Sequence, residues 1–556
     1  MRIQAITAVA AVIPRCLAEL QHPLGNQYSE TPADSPFNDA FNQRVEWILE
    51  HFHIPGLSVS VVNNGTTFAK GYGLSNIATS TPVTPNTLFF AGSTTKAHTA
   101  AALSLLVDDN NNYPHIQWDT PIHTLLPEFA LSDPIYTSQI TLTDMLSHRS
   151  GLPRHDMLLM LNTTAQDIVA RLQHLPLTAP IRTKFQYCNL LYITAAHLIE
   201  TVTGSAFEDF LRTNIWNPLG MNDTGFDLQA ALDRNLDVAQ GYYYDADTDT
   251  DTDTDADTDT GKGKLHPTNR TYNPAITGAG NILTSATSYA KWMDALLTHS
   301  PPISPAGYTA LFSAHTIGTP APYNPFSAPD LYGLGWVIQN YRGETIVQHG
   351  GAQDGYGALV VMLPARGFGV TILGNYMEGM NGAAQVLGFE LVDNLLGVGE
   401  GGRFDWVGTI DNQTRQFQLT NETFEKLYPD LPATPSLIPA PVDSASFAGR
   451  YTHPAYPALN ISSTCPERAP LRNPAKWTGV RLCGSFEDLV PLPDELAFDF
   501  FHLTGGYWAL VLGLEGMHQA TRAEFGVSVG GVVDRVGVEF DGEMMLRGEK
   551  IWFERV

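Results

Sequence analysis

Residues 91–106, AGSTTKAHTAAALSLL, decide how this chain is read. As a helix, the stretch puts Ser93 and Lys96 three residues apart, on one face. A serine hydroxyl is a poor nucleophile alone, and an amine beside it is the smallest device that activates it. The tetrapeptide itself is common, and a second S-x-x-K runs from Ser288 to Lys291. What separates the two is context. Downstream of the first lie Tyr187-Cys188-Asn189 and then His349-Gly350-Gly351.

Working outward, residues 37–52 (FNDAFNQRVEWILEHF) put Phe37, Phe41, Val45, Ile48, Leu49 and Phe52 on one helical face. LSVSVV and TTFAKGYG flank Asn64-Gly65, a strong hairpin signal. Residues 97–300 read mostly as helices broken by Pro and Gly, among them TLTDMLSHRS, NLLYITAAHLIETVTG and SAFEDFLRTNIW. Strands return with GLGWVIQN, ETIVQHG, GALVVMLP and FGVTILGN, and a helix over about 381–396 closes the unit. This order predicts an α+β catalytic domain over 37–400, an antiparallel sheet flanked by helices and carrying a helical subdomain. Residues 1–36 read as a leader. Residues 401–442 read as a Pro-rich linker, and 443–556 as an all-β, barrel-like accessory domain of short alternating runs.

The formal charge of −26 argues against nucleic acid and anionic membrane surfaces as partners. Eight of the aspartates fall in 245–260, DADTDTDTDTDADTDT, inside an insertion (245–264) read as a disordered loop rather than a calcium site. No run beyond the N-terminus has the apolar length of a membrane span. Residues 3–13 with Pro14-Arg15-Cys16-Leu17-Ala18 resemble a short signal peptide, so secretion is expected, with a cytoplasmic location as the alternative. Sequons start at Asn64, Asn162, Asn222, Asn269, Asn412, Asn421 and Asn460. Of the four cysteines, Cys188 reads as a buried free thiol, and Cys465 and Cys483 could pair.

For acyl chemistry Ser93 must lose its proton, the acyl oxygen must be stabilised, and the leaving group must be protonated. Lys96 can take the proton if its pKa is lowered by burial or a cationic neighbour. Tyr187 becomes a proton carrier when lysine charge stabilises its phenolate. Asn189 can hold a substrate amide or carbonyl. His349-Gly350-Gly351 ends a strand, where bare backbone lets substrate lie close, although His349 taken singly reads as structural. The N–H groups of Ser93 and Ala352 can form an oxyanion hole.

In this order the chain resembles the β-lactamase-related serine hydrolases, which include class C β-lactamases, DD-peptidases, D-aminopeptidases, esterases and fungal acyltransferases. The resemblance spans about Phe37 to Leu396. It is carried by IPGLSVSVV, PNTLFFAGSTTKAHTAAAL, ITLTDMLSHRSGLP, FQYCNLLYITAAHLIETVTG, IWNPLGMNDT, GAGNILTSATSYAKWMDALL and HGGAQDGYGALVVMLP. It implies Ser93 as nucleophile, Lys96 and Tyr187 as the proton-transfer pair, Asn189 as a substrate ligand, and His349-Gly350-Gly351 as the third motif. It also implies that Ser288 and Lys291 sit on an ordinary helix. Lactam- and peptidoglycan-processing members usually carry Lys-Thr-Gly at the third motif. Its loss here removes a clamp for a substrate carboxylate and favours ester, amide or thioester substrates. The C-terminal region resembles the lipocalin-like accessory domain of some members.

The leading expectation is therefore a serine hydrolase working through a Ser93 acyl-enzyme on a small-molecule acyl substrate. The same residues would serve an acyltransferase or cyclase of secondary metabolism. A non-catalytic binding protein of the same fold is the third reading. Gly526-Val527-Ser528-Val529-Gly530 matches the α/β-hydrolase elbow, but a strand follows it, so Ser528 reads as structural. No metal or cofactor motif is apparent, and the sequence does not address the oligomeric state.

Overall fold

The computed structural model describes residues 35–556 except 246–262, 269–271, 378, 418–420, 434–435, 467–473, 491–495 and 515–516. The leader, most of the Asp-Thr insertion and the Asn269 sequon lie outside the described residues. The insertion's edges are described: Tyr242–Asp245 pairs antiparallel with Lys264–Pro267.

Strand alternation explains the central sheet. Leu57, Val59 and Val61 enter one apolar core, and Val62 enters the other. Leu359, Val361 and Leu363 likewise enter the first, while Ala358, Val360 and Met362 enter the second. A sheet apolar on both faces needs cover on both. Helices Asp39–His51 and Met380–Leu395 cover one face, and Ala286–Thr298 covers the other with Trp292 and Met293. The sheet has nine strands, all antiparallel. Their order is Thr81–Pro82, Thr66–Asn76, Gly56–Asn63, Phe368–Gly374, Tyr356–Leu363, Glu344–Gln353, Val337–Tyr341, Leu331–Tyr332 and Thr316–Ile317. The Asn64-Gly65 turn has φ of 48° and 80°, the positive pair a two-residue hairpin requires.

In chain order the helical part lies between the two halves of the sheet. Thr95–Asp108 is buried along nearly its whole length, and Asn189–Thr203 packs against it. Two helices are shorter than the sequence suggests. TLTDMLSHRS is helical only over Leu142–Leu146, because His148 turns left-handed at φ 57°. SAFEDFLRTNIW is α-helical over Phe207–Leu211 and continues as a π turn over Arg212–Trp216. Among the described residues no helix is long and apolar enough to cross a membrane.

The stretch read as linker contains two helices, Trp406–Phe417 and Asn421–Leu427. The Trp406 ring lies 4.6 Å from that of Phe389, and Ile410 packs on Gly382, so the first helix extends the core of the catalytic domain. Proline spacing over 429–442 hid this.

The C-terminal region closes into an eight-stranded antiparallel barrel, with Gly449–Thr452 pairing the last strand, Ile551–Arg555. Its interior is filled with aromatic rings, including Phe447, Phe498, Phe500, Trp508, Phe525 and Phe553. Within the region expected to be all-β, EMMLRGEK over 543–550 instead holds most of a helix, Gly542–Arg547, capped by Asp541 and ended by Gly548 at φ 66°. Cys465 and Cys483 are joined by a disulfide. Ser528 lies in the exposed hairpin turn after strand Met517–Val527, not on a strand-to-helix elbow.

Candidate active site

The expected single helix from residue 91 divides in two. Gly92–Thr94 is a 3₁₀ turn, and the α-helix begins at Thr95. Ser93 therefore projects from the turn into the cleft, half-buried, while Lys96 is fully buried one turn later. The reason is a close backbone crossing. Gly92 has φ +49°, and a Cβ there would lie 2.6 Å from the Ala352 nitrogen. A Cβ on Gly351 would lie 2.1 Å from the Ala91 carbonyl oxygen and 3.2 Å from the Ser93 nitrogen. The Ser93 turn and strand Glu344–Gln353 thus touch backbone to backbone, which puts the Ser93 and Ala352 amides on one wall.

The two glycines of the third motif accordingly have different reasons. Gly351 is small because protein backbone needs the space. A Cβ on Gly350 meets only the Ala358 oxygen, at 3.7 Å. We expect Gly351→Ala to cost about 1–3 kcal/mol of stability and to distort the Ser93 turn, with Gly350→Ala close to neutral. Thermal melts of the two variants check this, and equal melting temperatures would contradict it.

Lys96 Nζ has three close partners: Ser93 Oγ at 3.0 Å, Asn189 Oδ1 at 2.6 Å and the Ala279 carbonyl oxygen at 2.8 Å. Asn189 opens the helix Asn189–Thr203, and its Nδ2 donates to Asp156 Oδ1 at 2.8 Å. Because a carboxylate only accepts, that bond turns Oδ1 of the amide towards Lys96. Ala279 is held by the 278–281 loop, which Gln353 ties to the third-motif strand through Asn281, with bonds of 2.6 and 3.0 Å. Burial, then the Arg154 charge, pushes the Lys96 ammonium well below its ordinary range. A neutral amine has two hydrogens and one lone pair. Two of its partners can only accept, so the lone pair is left facing Ser93.

Tyr187 lies on the other side of Ser93, with Lys96 Nζ 4.8 Å and the Arg154 guanidinium 4.9 Å from its ring centre. Burial raises its phenol above the ordinary value, while a hydrogen bond with Ser93 and the Arg154 charge oppose the rise without cancelling it. Burial thus disfavours the charged form of both groups, lowering the amine and raising the phenol. A phenolate stabilised by lysine charge, as the sequence suggests, would have to form against this burial.

His349 is buried, with Nε2 3.0 Å from the Tyr332 hydroxyl and Nδ1 2.6 Å from the Gly350 carbonyl oxygen. Burial, then the Lys96 charge, holds its imidazole down to about 4. Both ring nitrogens and both ends of the Asn189 amide therefore already have protein partners. Ser288 and Lys291 lie on helix Ala286–Thr298, far from this cleft in their bonding: Ser288 Oγ donates to Asp223 and Lys291 to the Gly220 carbonyl. Cys188 is free and buried, and burial pushes its thiol up to about 12.

Three residues at the site were missed. His148 accepts the Cys188 N–H at 3.1 Å, and its ring lies 4.4 Å from Tyr187, 5.2 Å from Tyr192 and 4.9 Å from Tyr332. Arg154 supplies the cleft's cation and pairs with Asp156 at 2.5 Å. Asp156 fixes Asn189. Their shared segment, SHRSGLPRHD over 147–156, overlaps the family-like stretch ITLTDMLSHRSGLP, but locally it reads as the end of a helix and does not mark these side chains as part of the site. The sequons at Asn64, Asn162, Asn222 and Asn412 are exposed, and Asn460 is half-buried. Among the described residues the only His/Cys/Asp/Glu group with metal-like spacing is Cys465, Cys483 and Asp499, in which the two sulfurs are bonded to each other.

An antiparallel sheet flanked by helices, with a serine on the turn that opens a buried helix and a buried lysine in that helix's first turn, defines a β-lactamase-type scaffold. A family model described as Beta-lactamase matches residues 37–389, and the chain belongs to that family. It is 37% identical over 530 residues to unguisins hydrolase ungD′ of Aspergillus campestris, covering 94% of this chain and 92% of that protein. Unguisins hydrolase ungD of Aspergillus violaceofuscus is 34% identical over 546 residues, covering 94% and 91%. Among solved structures, the octameric penicillin-binding protein homologue from Pyrococcus abyssi aligns at TM-score 0.55 and 20% identity, over 92% of this chain and 99% of that one, which speaks to fold alone.

Proposed function

We propose that the protein is a serine hydrolase that forms an acyl-enzyme at Ser93 and releases the acyl group to water. The observation that carries this is the Lys96 amine, 3.0 Å from Ser93 Oγ, with its other two contacts obligate acceptors. Lys96 takes the Ser93 proton as Oγ bonds to the acyl carbon. The acyl oxygen then becomes an anion that the Ser93 and Ala352 amides can receive. As the bond to the leaving group breaks, Tyr187 gives that group its proton, and the Lys96 ammonium restores the phenol. Arg154, over the Tyr187 ring, stabilises the transient phenolate. Water then attacks the acyl carbon and surrenders a proton to the same pair, and Oγ leaves with a proton restored.

The substrate is an ester, amide or thioester, and the hydrolase-named fungal relatives favour water over another acceptor. Unguisins, the compounds in those relatives' names, are the first substrates to try. A neutral, internally bonded His349 offers no charge to a substrate carboxylate, which argues against β-lactam clamping.

The test is incubation with a short-chain p-nitrophenyl ester and, separately, with an unguisin, following product release and the intact mass of quenched protein. Turnover with a transient adduct on the peptide containing Ser93 is expected. An adduct elsewhere, or turnover with Ser93 replaced, sinks the proposal. A stable adduct without release would revive the binding-protein reading. Acyl transfer to added alcohols or amines in preference to water would favour the acyltransferase reading.

A further inference from the structure

The barrel meets the catalytic domain beside the site, at the segment that carries Arg154 and Asp156. Asn162 N–H donates to the Asp488 carbonyl at 2.9 Å and Val490 N–H to the Met160 carbonyl at 2.8 Å, which adds a short antiparallel bridge between the domains. Arg171 Nη1 donates to the Ala455 carbonyl at 2.9 Å, and Lys184 pairs with Glu543. The contact nearest the chemistry is His155 Nδ1 to the Tyr456 hydroxyl, 2.8 Å apart and fully buried.

His155 holds an unusual backbone. Its φ of 49° and ψ of 38° are left-handed, a conformation a non-glycine residue keeps only when its surroundings hold it there. Its neighbours on either side are Arg154, over Tyr187, and Asp156, on Asn189. Turning His155 to an ordinary helical or extended geometry would swing both away from the cleft. Burial holds the His155 imidazole down to about 4, so the ring is neutral, and it faces the Pro176 carbonyl as well as Tyr456. Burial also keeps the Tyr456 phenol protonated. The Tyr456 hydroxyl is therefore the ring's hydrogen-bond partner: Nδ1 lies 2.8 Å from it, while Nε2 is buried without one among the described residues. From the barrel side, Asp541 also lies against the His155 backbone.

The barrel's interior does not suggest a carrier of ligands. Aromatic side chains fill it, with Tyr456 stacked on Phe540 at 5.1 Å at the end that faces the site.

Resting on the acyl-enzyme reading above, we propose that Tyr456 of the barrel is a positioning residue for acylation. It locks the left-handed His155 turn, and through it Asp156, Asn189 and the lone-pair direction of Lys96. The barrel is then a structural part of the active site rather than an independent module.

The experiment measures single-turnover acylation of the full chain by a p-nitrophenyl ester, below every variant's melting transition. Tyr456→Phe removes one hydroxyl and no packing. It is expected to lower the saturating acylation rate about 10- to 100-fold, as for small misplacements of a catalytic group, with half-saturation and melting temperature little changed. Asp156→Asn is expected to lose a similar factor, and the double variant no more than the larger single loss, because both act through the same path. Glu543→Gln, elsewhere on the seam, should acylate like wild type. The proposal is overturned if Tyr456→Phe acylates at the wild-type rate, if the two losses multiply, if only half-saturation moves, or if Glu543→Gln loses as much. Failure of the wild type to acylate at Ser93 would instead remove the reading on which it rests.

Discussion

Ser93→Ala should abolish turnover and the covalent adduct, with a loss of about four to six orders of magnitude in rate, the range seen when a catalytic serine is removed. Its neighbours explain why nothing can substitute. Lys96 Nζ faces Ser93 with its lone pair, and its other contacts, Asn189 Oδ1 and the Ala279 carbonyl, carry no nucleophile. Cys188 is buried with a thiol raised to about 12, so it is no alternative thiolate. Ser528 sits on an exposed hairpin turn in the barrel, and Ser528→Ala should keep full activity. Ser93 is half-exposed and its side chain anchors no core packing, so the melting temperature should hold to within the effect of one lost hydrogen bond, about 1 kcal/mol. Intact mass after ester treatment, together with a melting curve, separates loss of the nucleophile from loss of the fold. An adduct persisting in Ser93→Ala would end the assignment.

Lys96→Met is the second large effect, with acylation expected to fall about 10²- to 10⁴-fold, the usual contribution of a positioned base. Lys96→Arg should be no better, because a guanidinium does not give up its proton. The pH dependence has a definite sign. Burial lowers the folded Lys96 pKa below that of the unfolded chain. Between those two values the unfolded state binds more protons, so this residue's contribution to stability grows as pH rises and is lost as pH falls. Wild type should therefore gain stability relative to Lys96→Met as pH rises towards the ordinary lysine value of about 10.4, the upper end of that window. Acylation by wild type should rise on the same side as the amine loses its proton. A stability difference that shrinks with rising pH would mean Lys96 is held as an ammonium, and Lys96 would then not be the base. Stability and rate are separate readouts of one proton, so agreement between them is a strict check.

Local pattern made much of the catalytic fold legible. The 37–52 face, the Asn64-Gly65 hairpin and the four strands after Tyr332 are all short-range signals, and the structure has each of them at those positions. Where two signals compete, pattern misleads. Proline spacing concealed Trp406–Phe417, whose helix is stabilised by burying Trp406 and Ile410 against Met380–Leu395. EMMLRGEK has the apolar content of a strand, yet Asp541 at its start and Gly548 at its end cap a helix.

The candidate site divides the same way. Ser93 and Lys96 are three residues apart, so their spacing within one turn and the helix after it brings them together. Tyr187 and His349 come from distant segments, and the order of motifs carried them. Arg154, Asp156 and His148 gave no such signal. Their place depends on left-handed turns at His148 and His155; histidine enters that region more often than most residues, but its presence does not say which histidines will. The sequence by itself determined the scaffold and the pairing of Ser93 with Lys96, because these depend on periodicity and on spacing over a few residues. Only the tertiary structure decided the burial that lowers that lysine's pKa, the orientation of Asn189 and the contact of Tyr456 with His155, 301 residues apart in the chain. Burial and long-range docking set those properties, and neither is encoded in any one segment.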